Sequence, residues 1–368
     1  MPFLSNSTVL ESTENHSTTN APALWLQDDV AKRAKIAAFL VIFLASLLGN
    51  SLLIAVVYKN TNQRMRTPSN YFIVNMACAD LFLAVYNIPH NVVFTATDFQ
   101  WLISGVAGEL LCRLYFSIGE MTVLVSTGSL FFIALDRYFL VFYPLKRMIT
   151  PRITRRVIAV VWVFSIIFTA PLSIMGALRK IRTGYLVCTF NMSMIGALIA
   201  YFLFCFIPII LIPLIAIVIL YIAIGFKIKR ALPPGNQLPS THERRERMTH
   251  KVLSMLVAVV LVLIVFRFPL LVGLLTCFAR ITNLCQHPNY MFVAWFLTFS
   301  NSAINPFIYF IFNDQFRHGA RVVLESLVPC CFKSGNVVAA AQTSVHQMTH
   351  PAPRQLDKIV HVEQSAMH

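Results

Sequence analysis

The apolar residues of this chain arrive in seven long blocks, and this segmentation limits the fold more than any other feature. Ile36 to Tyr58 carries no charged side chain, nor does Val157 to Leu178, nor Thr183 to Phe226. Crossing a bilayer in a helix takes about 20 apolar residues. Seven spans fit, at about 36–59, 69–96, 110–141, 155–177, 195–226, 250–277 and 289–312. A soluble helix of such length would show a charged face. Only 12% of the 368 residues are charged, about half the share found in soluble proteins. The expected fold is therefore an all-α membrane protein, a seven-transmembrane helix bundle.

The net charge of +15 is unevenly placed. Lys59, Arg64 and Arg66 follow the first span. Lys146, Arg147, Arg152, Arg155 and Arg156 follow the third, and Lys227, Lys229, Arg230, Arg244, Arg245, Arg247 and Lys251 follow the fifth. The opposite loops hold Arg113, then Arg179, Lys180 and Arg182, then Arg280. Basic loops stay in the cytoplasm, so the N-terminus is expected outside and the C-terminus inside a multi-pass protein. Lys32, Arg33 and Lys35 run against this rule and are outweighed by the loops. Basic residues confined to membrane-flanking loops do not make a nucleic-acid surface, so no nucleic-acid partner is expected. Residues 1–30 are polar and lack the apolar core of a cleavable signal peptide; the first span is expected to direct insertion. Sequons at Asn6, Asn15 and Asn191 all fall on the outer side and are candidate glycosylation sites.

Cysteines divide by compartment. Cys112 and Cys188 face the oxidising side, where a disulfide can form, and Cys277 and Cys285 are a second candidate pair. Cys78 and Cys205 fall inside spans and are expected to pack. Cys330 and Cys331 follow a short amphipathic stretch, a setting for S-palmitoylation.

Several motifs fall on these spans at matching depths. They are Gly49-Asn50, Asn75-Met76-Ala77-Cys78-Ala79-Asp80, Cys112 with Asp136-Arg137-Tyr138, Trp162 and Pro171, Pro213 and Tyr221, and Asn305-Pro306-Phe307-Ile308-Tyr309. Taken together over residues 36–327, the set resembles the rhodopsin-like G-protein-coupled receptors. The stretch Arg66 to Asn75 and Trp101 are similar to the neuropeptide branch, such as neuropeptide FF, orexin and neuropeptide Y receptors.

That resemblance implies a division into a tail at 1–35, a receptor domain at 36–327 ending in a short amphipathic eighth helix from Asn313 to Leu327, and a disordered cytoplasmic tail at 328–368. It also implies roles. Asp136 restrains Arg137, which is freed to meet a heterotrimeric G protein. Tyr221 and Tyr309 turn inward to hold the open state, and Pro306 leaves a deformable point beside Tyr309. Leu145 presents an apolar contact to the G protein, and arrestin is a further candidate partner. Asn50, Asp80, Ser126, Asn301, Ser302 and Asn305 match a sodium site. A carboxylate at that depth needs a cation, a proton or a hydrogen-bond network, so a hydrated polar network is the alternative. No other cofactor is expected.

Departures from the family pattern are equally informative. Arg267 stands two residues before Pro269, where the family commonly has tryptophan. A guanidinium cannot readily lose its proton, so Arg267 is expected to pair with Asp80, with Glu120 or with ligand, or else to reach water along the open pocket. At the inner end of the sixth span the expected acid is Thr249, with Glu246 one turn earlier. The packing trio behind the pocket reads Thr127, Pro213 and Leu263. Both changes weaken inactive-state restraints and imply high basal activity.

Gly119 stands where amine receptors carry an aspartate, and Phe299 where light sensors carry the retinal lysine. Neither of those ligands is expected. Asn87, His90, Asn91, Glu120, Thr127, Arg267 and Phe299 are the candidate ligand contacts, and Arg179, Lys180 and Arg182 could attract an acidic ligand. An extracellular peptide is the expected ligand, with a small acid or a lipid mediator as the alternative. No nucleophile, base and orienting residue cluster, and no phosphate loop appears, so no enzyme is expected. A transporter would more often show internal repeats. A non-signalling decoy or scaffold receptor stays open.

Overall fold

The computed structural model describes residues 29–59, 65–181, 184–230, 241–278, 281–282, 284 and 287–327. Among them, seven helices are long and apolar enough to cross a membrane. They are α1 (Asp29–Lys59), α2 (Pro68–Ala96), α3 (Gly105–Phe142), α4 (Pro151–Met175), the fifth span, α7 (Thr241–Phe278) and α8 (Pro288–Phe312). The fifth span consists of α5 (Ile195–Tyr201), a π-helical turn (Phe202–Phe206) and α6 (Ile207–Arg230). A further helix, α9 (Asp314–Leu327), follows. Chain contacts divide the molecule into Met1–Ala320 and Arg321–His368. In the second unit Ser326 donates back to the Val323 carbonyl at 2.7 Å.

Helix starts follow local chemistry. Thr67-Pro68 and Thr150-Pro151 place a hydroxyl at the N-cap and proline at the first helical position. Thr67 Oγ1 accepts from Asn70 N and Thr150 Oγ1 from Ile153 N, both at 3.3 Å. Four helices begin four or more residues before their apolar blocks: α1, α3, α4 at Pro151 and α7 at Thr241. Helix α1 starts at Asp29, inside the expected 1–35 tail, and Lys32 in its first turn pairs with Asp98 at 2.8 Å. Helix α3 starts at Gly105, where Glu109 and Arg113 form an i,i+4 pair. Asn313 Oδ1 accepts from Gln315 N at 3.0 Å and opens α9 one residue later than expected.

Polar side chains join the spans, since a polar atom in hydrocarbon must find a protein partner. Trp162 Nε1 donates to Asn75 Oδ1 at 2.8 Å, and Asn75 Nδ2 donates to Ser129 Oγ at 2.9 Å, tying α4, α2 and α3. Ser173 donates to Ser117 at 2.7 Å, and Tyr86 to the Leu111 carbonyl at 2.7 Å. A Cβ on Gly49 would lie 3.0 Å from Pro306, so glycine there lets α1 approach the proline of α8.

A two-stranded hairpin, unforeseen from the sequence, lies between α4 and α5. Strand β1 (Gly176–Lys180) pairs antiparallel with β2 (Leu186–Phe190), Leu178 opposite Cys188. The disulfide Cys112–Cys188 ties β2 to α3. Cys277 is also disulfide-bonded, while Cys285 lies outside the described residues. Contrary to expectation, Cys78 and Cys205 are exposed free thiols, turned toward the surface that lipid would cover. Asn6, Asn15, Cys330 and Cys331 lie outside the described residues. Cys112→Ala with Cys188→Ala should lower stability by about 2–5 kcal/mol. Thermal unfolding of the purified protein checks this, and an unchanged midpoint would mean the hairpin is held by packing alone.

Candidate functional site

Three small cavities follow one another from the disulfide end of the bundle toward its middle. The first, about 40 Å³, is lined by residues that include Lys35, His90, Asn91, Tyr115, Cys188 and Trp295. The second, about 30 Å³, includes Asn87, Tyr115, Glu120, Arg267, Trp295 and Phe299. The third, about 20 Å³, includes Asp80, Ser126, Leu263, Arg267 and Asn301. Each has room for a few atoms, the tip of a ligand and not its body. Tyr115 and Trp295 line both the first and the second cavity, with ring centroids 6.3 Å apart. Arg267 lines both the second and the third.

Arg267 forms an ion pair and a hydrogen bond with Glu120. This decides between the acids that the sequence offered: the partner is Glu120 on α3. Asp80 instead accepts from Asn305 Nδ2 at 2.9 Å. The pair joins α3 to α7 at the floor of the second cavity. Close by, Asn87 Nδ2 donates to the Tyr115 carbonyl at 3.2 Å, but its Oδ1 is buried without a partner. Asn91 Nδ2 donates to the Asn87 carbonyl and to Tyr115 Oη at 2.7 and 3.1 Å. His90 packs against Tyr115 and Trp101 at 4.2 and 4.8 Å between centroids. Phe299 lines the second cavity and stacks on Trp295.

Thr127 does not belong with these ligand candidates. It is buried about 10 Å along α3 from Glu120 and lines none of the three cavities. Arg179 and Lys180 are on the exposed end of β1 and likewise line none of them. Arg179 donates to Asn191 Oδ1 at 2.5 Å. Arg182 lies outside the described residues. Several wall residues went unnoticed in the sequence: Lys35, Tyr115, Phe116, Phe190, Phe202 and Trp295. Phe190 is brought in by the hairpin and Phe202 by the π-turn, neither of which leaves a periodic signal.

The expected sodium set divides in two. Asn50 donates to the Ser46 and Ser302 carbonyls at 2.9 and 3.0 Å, and Ser46 donates to Ser302 Oγ at 3.2 Å. Asn50 and Ser302 are thus committed to each other across α1 and α8. Asp80, Ser126, Asn301 and Asn305 remain, and the Oδ1 atoms of both asparagines are buried without partners. These oxygen donors suit a hard cation, although Arg267 borders the same cavity.

At the opposite end, Asp136 accepts from Ser69 Oγ at 2.5 Å. Among the described residues no ion pair joins it to Arg137, whose Nε is buried without a hydrogen bond. Asp136 thus faces α2, and its carboxylate acts on the Arg137 guanidinium through space rather than through a direct ion pair. Tyr221 Oη is buried without a partner, and Tyr309 Oη donates only to Met76 Sδ at 3.5 Å. Tyr138 stacks on Phe142, and Leu145 is 99% exposed. Glu246 and Thr249 fall where α7 is described by its backbone alone.

Removing one partner of the buried pair strands the other. Glu120→Gln should cost about 3–5 kcal/mol of stability; the double variant Glu120→Gln/Arg267→Gln should cost less. Thermal unfolding of the wild type, Glu120→Gln, Arg267→Gln and the double variant checks this, and additive losses would show that the pair is not coupled.

A family model, 7 transmembrane receptor (rhodopsin family), matches residues 49–309. A QRFP-like peptide receptor of Branchiostoma floridae is 28% identical over 309 residues, covering 81% of this chain and 79% of the relative. Neuropeptide FF receptor 1 of Rattus norvegicus is 30% identical over 307 residues, with 77% and 68% covered. Somatostatin receptor type 5 of Rattus norvegicus is 30% identical over 300 residues, with 78% and 76% covered.

Proposed function

Since the chain belongs to the rhodopsin family of seven-transmembrane receptors, we propose that it is a multi-pass plasma-membrane receptor that binds an extracellular peptide and activates a heterotrimeric G protein. The N-terminus is outside and the disulfide end faces the ligand. The peptide reading is supported by relatives that are themselves named as peptide receptors. The observation that carries the mechanism is the Glu120–Arg267 pair at the floor of an aromatic cavity.

The tip of the ligand enters between Tyr115 and Trp295 and competes for one partner of the pair. Arg267 borders the cavities on both sides, so displacing it changes the field at Asp80 and Asn305. Asn305 precedes Pro306, where α8 lacks one backbone donor and yields most readily. Tyr309, one turn on, and Tyr221 have unused hydrogen-bonding capacity for the open state. Arg137 and the exposed Leu145 then meet the G protein, and arrestin would use the same end. Asp80, Ser126, Asn301 and Asn305 would hold a sodium ion, which would supply positive charge beside Asp80. Asn6, Asn15 and Asn191 would carry glycans, and Cys330 and Cys331 acyl chains.

Asp136 is shared with Ser69 of α2 and makes no direct ion pair with Arg137, so its hold on the output arginine is through space alone. Expression in cells without ligand should therefore give a G-protein signal above an Arg137→Ala control. A panel of synthetic peptides should raise that signal further. Signals equal to the control, with and without peptides, would leave a decoy receptor. Arg267→Trp should lower basal signalling and increase its sensitivity to sodium; unchanged values for both would remove Arg267 from the switch.

A further inference from the structure

We infer that Lys35 is the binding residue for a carboxylate of the ligand. This rests on the peptide-receptor reading and adds to it the charge that the peptide must carry. The starting point is the basic run at the head of α1 that contradicts the charge asymmetry of the loops. Its members are differently placed. Arg33 Nε donates to the Asp29 carbonyl at 3.3 Å on the exposed face. Lys32 pairs with Asp98. Lys35, one turn further along, is only 8% exposed.

Its Nζ donates to Asn289 Oδ1 at 2.7 Å and lies 5.5 Å from the centroid of the Phe292 ring. Among the described residues no carboxylate comes within ion-pair distance of it. An ammonium has three donors, and an amide oxygen and a ring face offset only part of the cost of burying a cation. Lys35 is buried along its stem and its ammonium meets the exposed Asn289, so water at the helix end offsets part of that cost without supplying an anion. The neighbouring acid Asp98 is held by Lys32, and Glu120 is held by Arg267.

Lys35 instead lines the first cavity, whose 40 Å³ admits a group the size of a carboxylate. The walls around it are aromatic, so an anion there would be poorly screened and strongly attracted. The adjoining cavity holds the reverse requirement, since the buried Asn87 Oδ1 lacks a donor. A peptide supplies both complements in one molecule, a carboxylate for Lys35 and an N–H for Asn87.

The test uses purified full-length receptor and two probes that differ in one charge, N-acetylphenylalanine and N-acetylphenylalaninamide. The acid should raise the thermal unfolding midpoint, and the amide should do so far less. Lys35→Met should weaken the apparent affinity for the acid at least about tenfold, the scale of one charge-assisted hydrogen bond. Lys35→Arg should preserve it. Equal responses to acid and amide in the wild type, or an acid response unchanged in Lys35→Met, would overturn the inference. Should Lys35→Met not fold, the acid–amide comparison in wild type and Lys35→Gln decides. Parallel measurements in nanodiscs with and without phosphatidylserine identify a headgroup as the anion, which also overturns it, if serine lipid alone gives the Lys35-dependent shift. The readout does not involve signalling. A chain that answers no peptide in cells but shows Lys35-dependent binding of the acid loses the peptide reading and keeps the carboxylate site.

Discussion

In hydrocarbon a polar atom can turn only to the protein, and nearly everything in this structure follows from that. The backbone meets the demand within each helix. Side chains meet it between helices, which makes every buried polar residue a statement about a neighbour. Asn75 fixes α4 through Trp162 and α3 through Ser129. Asn50 and Ser302 fix α1 against α8 through Ser46. Apolar contact contributes packing but little selectivity here, because lipid tails are as apolar as leucine. The polar contacts therefore set which helices are neighbours and at what depth.

The same demand explains why the site is charged. Glu120 and Arg267 each would be intolerable alone at that depth, so together they make a cross-link between α3 and α7. A cross-link made of opposite charges differs from an apolar one: a ligand can break it by offering a better partner to either side. An aromatic residue at position 267 would answer chiefly to shape. Arginine answers to charge and hydrogen bonding as well, and it reaches both the ligand cavity and the Asp80 cavity.

Much of this was legible in the sequence. The seven spans and the Cys112–Cys188 bond depend on local composition or compartment. Arg267 was marked as needing an acid because its charge cannot be removed. What was not legible depends on distance in three dimensions. Glu120 and Asp80 were equal candidates until helix depth and rotation separated them. Asp136 could not be seen to face Ser69, since the two are 67 positions apart. Thr127 is expected from the sequence to face the outer cavity, a placement that turns on depth along α3. Lys35 appeared only as an exception to a charge rule, and Trp295 as an unremarked apolar residue.

The π-turn at Phe202–Phe206 has a consequence for the fifth span as a whole. A π-turn closes on a longer hydrogen-bonded loop than an α-turn and accommodates one extra residue. Everything beyond it is rotated by about 100° relative to an uninterrupted helix. Phe202, at the wall of the second cavity, and Tyr221, in the cluster near Arg137, thus sit in different phases of one rod. A shift in helical phase on one side of the turn need not propagate to the other. One irregular turn therefore sets which face each end of a single helix presents to the bundle.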